Sequence, residues 1–180
     1  MCGTHTLLHT KGRKEPIVYR CLKETEVERF WELMNELDHE TSFMMYEPGE
    51  RKRNIGALSE ALDGVFRGED FLLIAETEGA LVGYIRAERG ACRRIRHSAY
   101  VVAGIRKEYC NRGIGTELFY RLDCWAKEQG LRRLELTVMC SNNRGKHVYE
   151  KNGFSVEGIK KDSMLVDGKF VDEYYMAKLL

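Results

Sequence analysis

One stretch constrains this chain more than any other: Val101-Val-Ala-Gly-Ile-Arg-Lys-Glu-Tyr-Cys-Asn-Arg-Gly-Ile-Gly-Thr116. It begins with strand character, passes through a short glycine loop, and enters a segment where Ile114, Leu118, Leu122 and Trp125 share one helical face. A loop of this kind aims unpaired backbone N–H groups at one point, where the helix dipole also favours an anion. Gly113 and Gly115 let the backbone approach that anion closely. A phosphate or pyrophosphate is therefore the expected ligand. The loop is not a Walker A loop, because no Gly-Lys-Ser/Thr follows. It is not a dinucleotide fingerprint either, because the third glycine is absent and no glycine lies two residues before Gly113. Taken alone, Gly-x-Gly equally describes a structural helix entry.

The flanking sequence places this loop inside a mixed α/β pattern. Ile17–Leu22 reads as a strand, and Thr25–Leu37 as a helix with Val27, Phe30, Trp31, Met34 and Leu37 inward and Thr25/Glu28 as a capping box. A second helix is expected from about Arg51 to Leu62, with Gly64 beyond its end. Phe71–Glu76 and Ala80–Arg86 form a hairpin about Gly79, and Ser98–Ile105 is the next strand. After the loop and its helix, Gly130 marks a stop and Leu134–Val138 is a strand. Ser141 and Asn142 are caps for a helix carrying Val148 and Tyr149 that ends before Gly153. Asp167-Gly168 closes a hairpin between Ser163–Val166 and Phe170–Met176. Hairpins followed by a βαβ unit predict a mixed sheet, not a fully parallel one.

Composition narrows the class. At 180 residues, 43% hydrophobic and 32% charged, the chain suits one globular domain. Such a length buries roughly 70% of the unfolded surface, so no disulfide or metal is needed to hold a core. Lys and Arg total 29 against 28 Asp and Glu, which argues against a protein built to coat nucleic acid. No apolar run approaches the ~20 residues of a membrane helix. Cys2, Cys21, Cys92, Cys110, Cys124 and Cys140 form no C-x-x-C pair, and Met1–Pro16 lacks an apolar leader, so reduced thiols and a cytoplasmic location are expected. Cys2, His5 and His9 are a weak metal set, against the plainer reading of residues 1–15 as a flexible tail before a single domain over 16–180.

With the second half of the pattern added, the chain resembles the GNAT superfamily of N-acetyltransferases, which bind acetyl-CoA. The resemblance rests on Cys110-Asn-Arg-Gly113-Ile-Gly115, the strand Leu134-Glu-Leu-Thr-Val138, Asn142, and Val148-Tyr149-Glu150-Lys151-Asn152-Gly153-Phe154, in that order. It spans about Ser98 to Phe154. Two positions depart from the family pattern. Cys110 stands where Arg or Gln is usual, leaving Arg112 to supply charge, and Gly145 stands where Ala is frequent in the second helix.

The resemblance implies a mixed, mostly antiparallel sheet with flanking helices and a splayed central strand pair. It also implies direct transfer of an acetyl group from acetyl-CoA to a primary amine, without a metal. By motif position, Tyr149 is the general acid for the leaving thiolate. Cys110, Asn111, Arg112, Gly113, Ile114, Gly115 and Thr116 cradle the pyrophosphate. Ala103, Gly104 and Ile105 offer backbone groups to pantetheine, with Asn142 either contacting that arm or serving only as a cap. His97 is the candidate base, with Glu88, Tyr100 or water as alternatives. His147 reads as surface. Arg86, Arg89, Arg93, Arg94 and Arg96 form a basic loop, read as solvated. Glu36, Asp38, Glu40 and Glu47 suit a cationic acceptor. The expected partner is an amine-bearing acceptor, with a homodimer left open and neither membrane nor nucleic acid expected. A catalytically silent acyl-CoA-binding module on the same fold is the alternative.

Overall fold

The computed structural model describes residues 16–180, so the tail and the Cys2, His5, His9 set lie outside the described residues. The strands are β1 (Val18–Cys21), β2 (Phe71–Thr77), β3 (Ala80–Arg89), β4 (Ser98–Ile105), β5 (Arg133–Met139), β6 (Ser155–Val166) and β7 (Lys169–Leu179). The helices are α1 (Val27–Glu40), α2 (Ile55–Ala61), α3 (Asp63–Phe66), α4 (Ile114–Glu128) and α5 (Asn143–Lys151). The sheet runs β1-β2-β3-β4-β5-β7-β6, mostly antiparallel, with β4 and β5 parallel. Parallel neighbours need a long crossover, and α4 supplies it. The chain divides into two compact units: residues up to Arg86 with Ala103–Leu118, and Ala87–Val102 with Phe119–Leu180.

In the first unit, β2 and β3 are almost continuously buried, as strands covered on both faces must be. Helix α1 buries Val27, Phe30, Leu33, Met34 and Leu37, the spacing of one helical stripe. Phe30 meets Tyr84 edge-on with ring centroids 5.0 Å apart. A Cβ on Gly104 would stand 2.7 Å from Leu37 Cδ1, so only glycine lets this helix side chain sit so close to β4.

In the second unit, β5 alternates: Leu134, Leu136 and Val138 are buried while Arg133, Glu135 and Thr137 are half-buried. Phe119, Leu122 and Ala126 of α4 belong to the buried set, as do Phe154 and Met176. β5 pairs with β7 at seven positions, from Arg133↔Leu179 to Met139↔Glu173. With β4 it pairs at only three: Ser98↔Arg133, Ala99↔Leu134 and Tyr100↔Glu135.

Several boundaries differ from expectation, each for a visible reason. The chain enters α1 through a 3-10 turn over Glu24–Glu26. There the Lys23 N–H donates to Glu26 Oε2 at 3.2 Å, replacing the Thr25/Glu28 box. Glu26 is drawn to this place because Arg20 and Arg29 both bond its carboxylate and that of Glu76, tying β1, α1 and β2 together. The helix expected over 51–62 starts at Ile55, where Asn54 Oδ1 accepts from the Ala57 N–H at 3.0 Å, and Gly64 lies inside α3. β6 begins at Ser155, eight residues before the expected strand. It is an edge strand, exposed along its first half and broken by register shifts at Val156/Gly158 and Lys160/Met164, so it lacks an apolar alternation.

The Arg20–Glu26–Arg29–Glu76 group generates a pH prediction. The Arg20 guanidinium holds the Glu26 carboxyl down at about 2. A depressed carboxyl contributes stability above its unfolded value, and that contribution is lost as pH falls toward the folded one. Glu26→Gln should be less stable than wild type at neutral pH by roughly 2 kcal/mol after allowance for solvent screening. The gap should shrink by about half by pH 3. Urea midpoints of both proteins along a pH series check this; a gap independent of pH would contradict it.

Candidate active site

The loop after β4 is shaped by two residues in the left-handed region, Asn111 at φ 61° and Gly113 at φ 80°. Asparagine and glycine are the residues that accept this conformation at least cost. The first intrahelical bond of α4 is from the Glu117 N–H to Gly113 O at 3.2 Å. The N–H groups of Ile114, Gly115 and Thr116 therefore precede it and have no acceptor within the helix. Ile114 is buried and anchors the helix start, while Gly113 and Thr116 are exposed. The Arg112 guanidinium lies 4.8 Å from the centre of the Tyr109 ring and has no carboxylate partner among the described residues. Free N–H donors, a helix dipole and an uncommitted cation are features that suit an anion.

The entrance to this loop is fixed by the end of α1. Arg106 bonds Glu40 at 3.1 Å and Glu36 at 3.1 Å, and Glu40 Oε2 also accepts from the Lys107 N–H at 2.6 Å. This corrects the expectation for the acidic residues of the N-terminal region. Glu36 and Glu40 are committed to Arg106, and Asp38 is buried against Arg51 at 2.5 and 3.1 Å. Of the four, only Glu47 keeps an exposed carboxylate without an ion-pair partner among the described residues. The basic loop is likewise partly structural: Arg86 donates to Ala61 O, and Arg89 to Arg96 O and Gln129 O.

The Cys110 side chain faces its own turn. Its thiol is turned back onto the backbone, with Sγ 3.4 Å from Arg106 O and 3.8 Å from Ile105 O. The small side chain closes the 3-10 turn over Lys107–Tyr109.

In the second unit, Asn142 Oδ1 accepts from the Gly145 N–H at 2.8 Å, so Asn142 is the cap of α5 and Ser141 is not. The same contact explains Gly145: a Cβ there would stand 2.7 Å from Asn142 Nδ2 and 3.0 Å from Oδ1. The glycine that departs from the family pattern makes room for the cap. Seven residues on, Tyr149 packs edge-on against Phe119 at 5.8 Å and against Phe154 at 6.2 Å. Burial pushes its phenol up to about 12. Its hydroxyl has no hydrogen-bond partner among the described residues.

His97 is exposed, in the turn before β4. Its carbonyl accepts from the N–H groups of Arg132 and Arg133 at 2.8 and 3.1 Å. It therefore stands at the end of β4 where the pairing with β5 is closed. His147 is exposed, as expected. The residue that the sequence reading undervalued is Tyr100, whose hydroxyl shares a 2.8 Å hydrogen bond with Thr137 Oγ1. The strand register, invisible in the sequence, is what brings these two together.

Comparison with known proteins places the fold. The profile of the acetyltransferase (GNAT) family matches residues 23–154. An L-amino acid N-acetyltransferase, AaaT, of Escherichia coli K12 is 32% identical over 111 residues, which are 59% of this chain and 67% of that protein. A GNAT-family acetyltransferase from Streptococcus pneumoniae superimposes with a TM-score of 0.85 at 27% identity, over 91% of this chain and 99% of that one. A GNAT superfamily phosphinothricin acetyltransferase from Sinorhizobium meliloti, solved with acetyl-CoA, shares the fold with a TM-score of 0.79 at 18% identity, over 91% and 88% of the two chains.

Gly113 and Cys110 give opposite expectations. Gly113→Ala meets no neighbour, but its φ strains the backbone, costing about 1 kcal/mol of stability. Relief of that strain redirects the N–H groups that follow, so CoA affinity should fall roughly tenfold. Cys110→Ser keeps a donor for the same carbonyls and should leave CoA affinity unchanged. Calorimetric titration with CoA, alongside urea unfolding, tests both. A folded Gly113→Ala protein with full affinity would remove the loop from the binding site.

Proposed function

We propose, for a chain that belongs to the acetyltransferase (GNAT) family, that its reaction is direct transfer of an acetyl group from acetyl-CoA to a primary amine. Membership makes the chain an acyl-CoA N-acyltransferase. The observation that carries the finer reading is Tyr149: a phenol held protonated, with a hydroxyl free of partners among the described residues, on a helix fixed by the Asn142 cap.

The residues present fit acetyl-CoA. The start of α4 has N–H donors to spare, Gly113 leaves its Cβ space open, and Arg112 is uncommitted. When bound, acetyl-CoA supplies an acetyl group activated as a thioester. The N–H groups of Ile114, Gly115 and Thr116 would hold its pyrophosphate, with Arg112 adding positive charge. Ala103, Gly104 and Ile105 lie past the last position that β4 shares with β5, which supports their offering backbone groups to the pantetheine arm. Asn142 holds α5 and, through it, the height of Tyr149. Tyr149 gives its proton to the departing sulfur and regains one from solvent, while the amine loses a proton to water. A phenol is protonated at neutral pH, the state an acid needs. No histidine or carboxylate is assigned as base.

The name of the Escherichia coli relative makes the α-amino group of an L-amino acid the first acceptor class to test. The experiment is a thiol-release assay with acetyl-CoA over L-amino acids, polyamines and peptides with free N-termini, run beside a CoA-binding measurement. Release with one of these classes is expected. Tight binding with no release for any amine would favour the silent binding module.

Tyr149→Phe keeps the ring and its packing on Phe119 and Phe154 but removes the proton. Its kcat should fall roughly 10²-fold while acetyl-CoA affinity and Tm stay close to wild type. Wild-type turnover in a folded Phe variant, with chemistry limiting the rate, would reduce Tyr149 to a packing residue.

A further inference from the structure

β4 and β5 share three register positions and then both continue, β4 from Tyr100 to Ile105 and β5 from Glu135 to Met139. Just beyond the last pair lies a side-chain contact between the two strands. Tyr100, the last paired residue of β4, reaches forward to Thr137, two residues past its own partner, and the two hydroxyls lie 2.8 Å apart. Such diagonal neighbours stand roughly 7 Å apart in an intact ladder, within reach of an aromatic side chain. A phenol spanning that gap acts as a strut as well as a tie.

The Thr137 end of the contact is stiff. β5 is paired with β7 over its whole length, with Thr137 opposite Tyr175. Glu135 accepts from Arg133 Nε at 2.6 Å, and Arg133 bonds Glu157 of β6 at 2.9 and 2.5 Å. One face of β5 is thus cross-tied to β7 and β6, and Tyr100 is the group that extends this cross-tie to β4.

We propose that the Tyr100–Thr137 hydrogen bond is a latch that sets how far β4 and β5 separate, and that Tyr100 is thereby a positioning residue for the pantetheine arm of the acyl donor. The inference rests on the reading that this arm lies where the two strands part. It does not involve the pyrophosphate grip at the start of α4, and this difference supplies the test.

Tyr100→Phe keeps the strut and removes the tie; Thr137→Val removes the same tie from the other side with little change of shape. Both variants and their double are titrated with acetyl-CoA and with 3′-phosphoadenosine 5′-diphosphate, the CoA fragment that lacks the arm. Each single variant should bind acetyl-CoA roughly five- to tenfold more weakly, with affinity for the fragment unchanged. The double variant should be no weaker than either single, because the one bond is already gone. Unchanged acetyl-CoA affinity in both singles overturns the latch. So does an equal loss for the fragment, or a double variant in which the two losses multiply. Failure of the wild-type protein to bind acetyl-CoA at all would instead overturn the reading beneath it, and the latch with it.

Discussion

A parallel pair of strands cannot be joined by a tight turn, and the chemistry of this chain follows from that restriction. β4 and β5 run in the same direction, so the chain must leave the sheet after Ile105, return through a helix and re-enter at Arg133. The crossover helix must have an N-terminus, and an N-terminus has N–H groups that the helix cannot satisfy. Asn111 and Gly113 turn the chain so that these groups follow directly on the loop. These free N–H groups are thus the unavoidable end of a crossover, reached through two residues that tolerate a left-handed backbone. Where the pairing of β4 and β5 stops after Tyr100, strand edge is left over.

Ion pairs are used here to hold position rather than to contact a substrate. Glu36 and Glu40 neutralise Arg106 and secure Lys107, and so fix where the loop begins. Asp38 and Arg51 form a buried pair inside the first unit. Removing one partner of such a pair leaves an unpaired buried charge, whereas the pair as a whole contributes little net stability. Its value lies in geometry: it anchors the segment after α1, where Arg51 also stacks 4.4 Å from the centre of the Tyr46 ring. The acidic cluster that reads in the sequence as an attractor for cations is, in three of four residues, already satisfied.

Where the sequence pattern was legible, it was legible through periodicity. The core strands β2, β3 and β5 carry runs or alternations of apolar residues, and β4 matched its expected bounds, because buried faces impose a period. β6 has no such face along its first half, so Ser155–Asp162 carried no signal. Its strand conformation comes from pairing with β7. The start of α1 was misplaced for a related reason. The local capping pattern at Thr25 competes with Glu26, and Glu26 is chosen by arginines on β1 and α1 that no local window relates to it.

For the site, the sequence by itself determined the glycine loop, the cap, the aromatic that follows it and their order, because these are local requirements: a left-handed residue, a side-chain acceptor two or three residues from an N–H, a ring one helical face on. The family followed from that order. Only the tertiary structure decided what each remaining side chain does. Cys110 bonds its own turn, His97 stands at the closed end of its strand, Gly145 yields space to Asn142, and Tyr100 meets Thr137. Each of these depends on strand register or on a contact between elements far apart in the chain. A shift of one residue in register turns a side chain to the opposite face. Residue type and spacing therefore name the groups, and pairing across the sheet assigns them their partners.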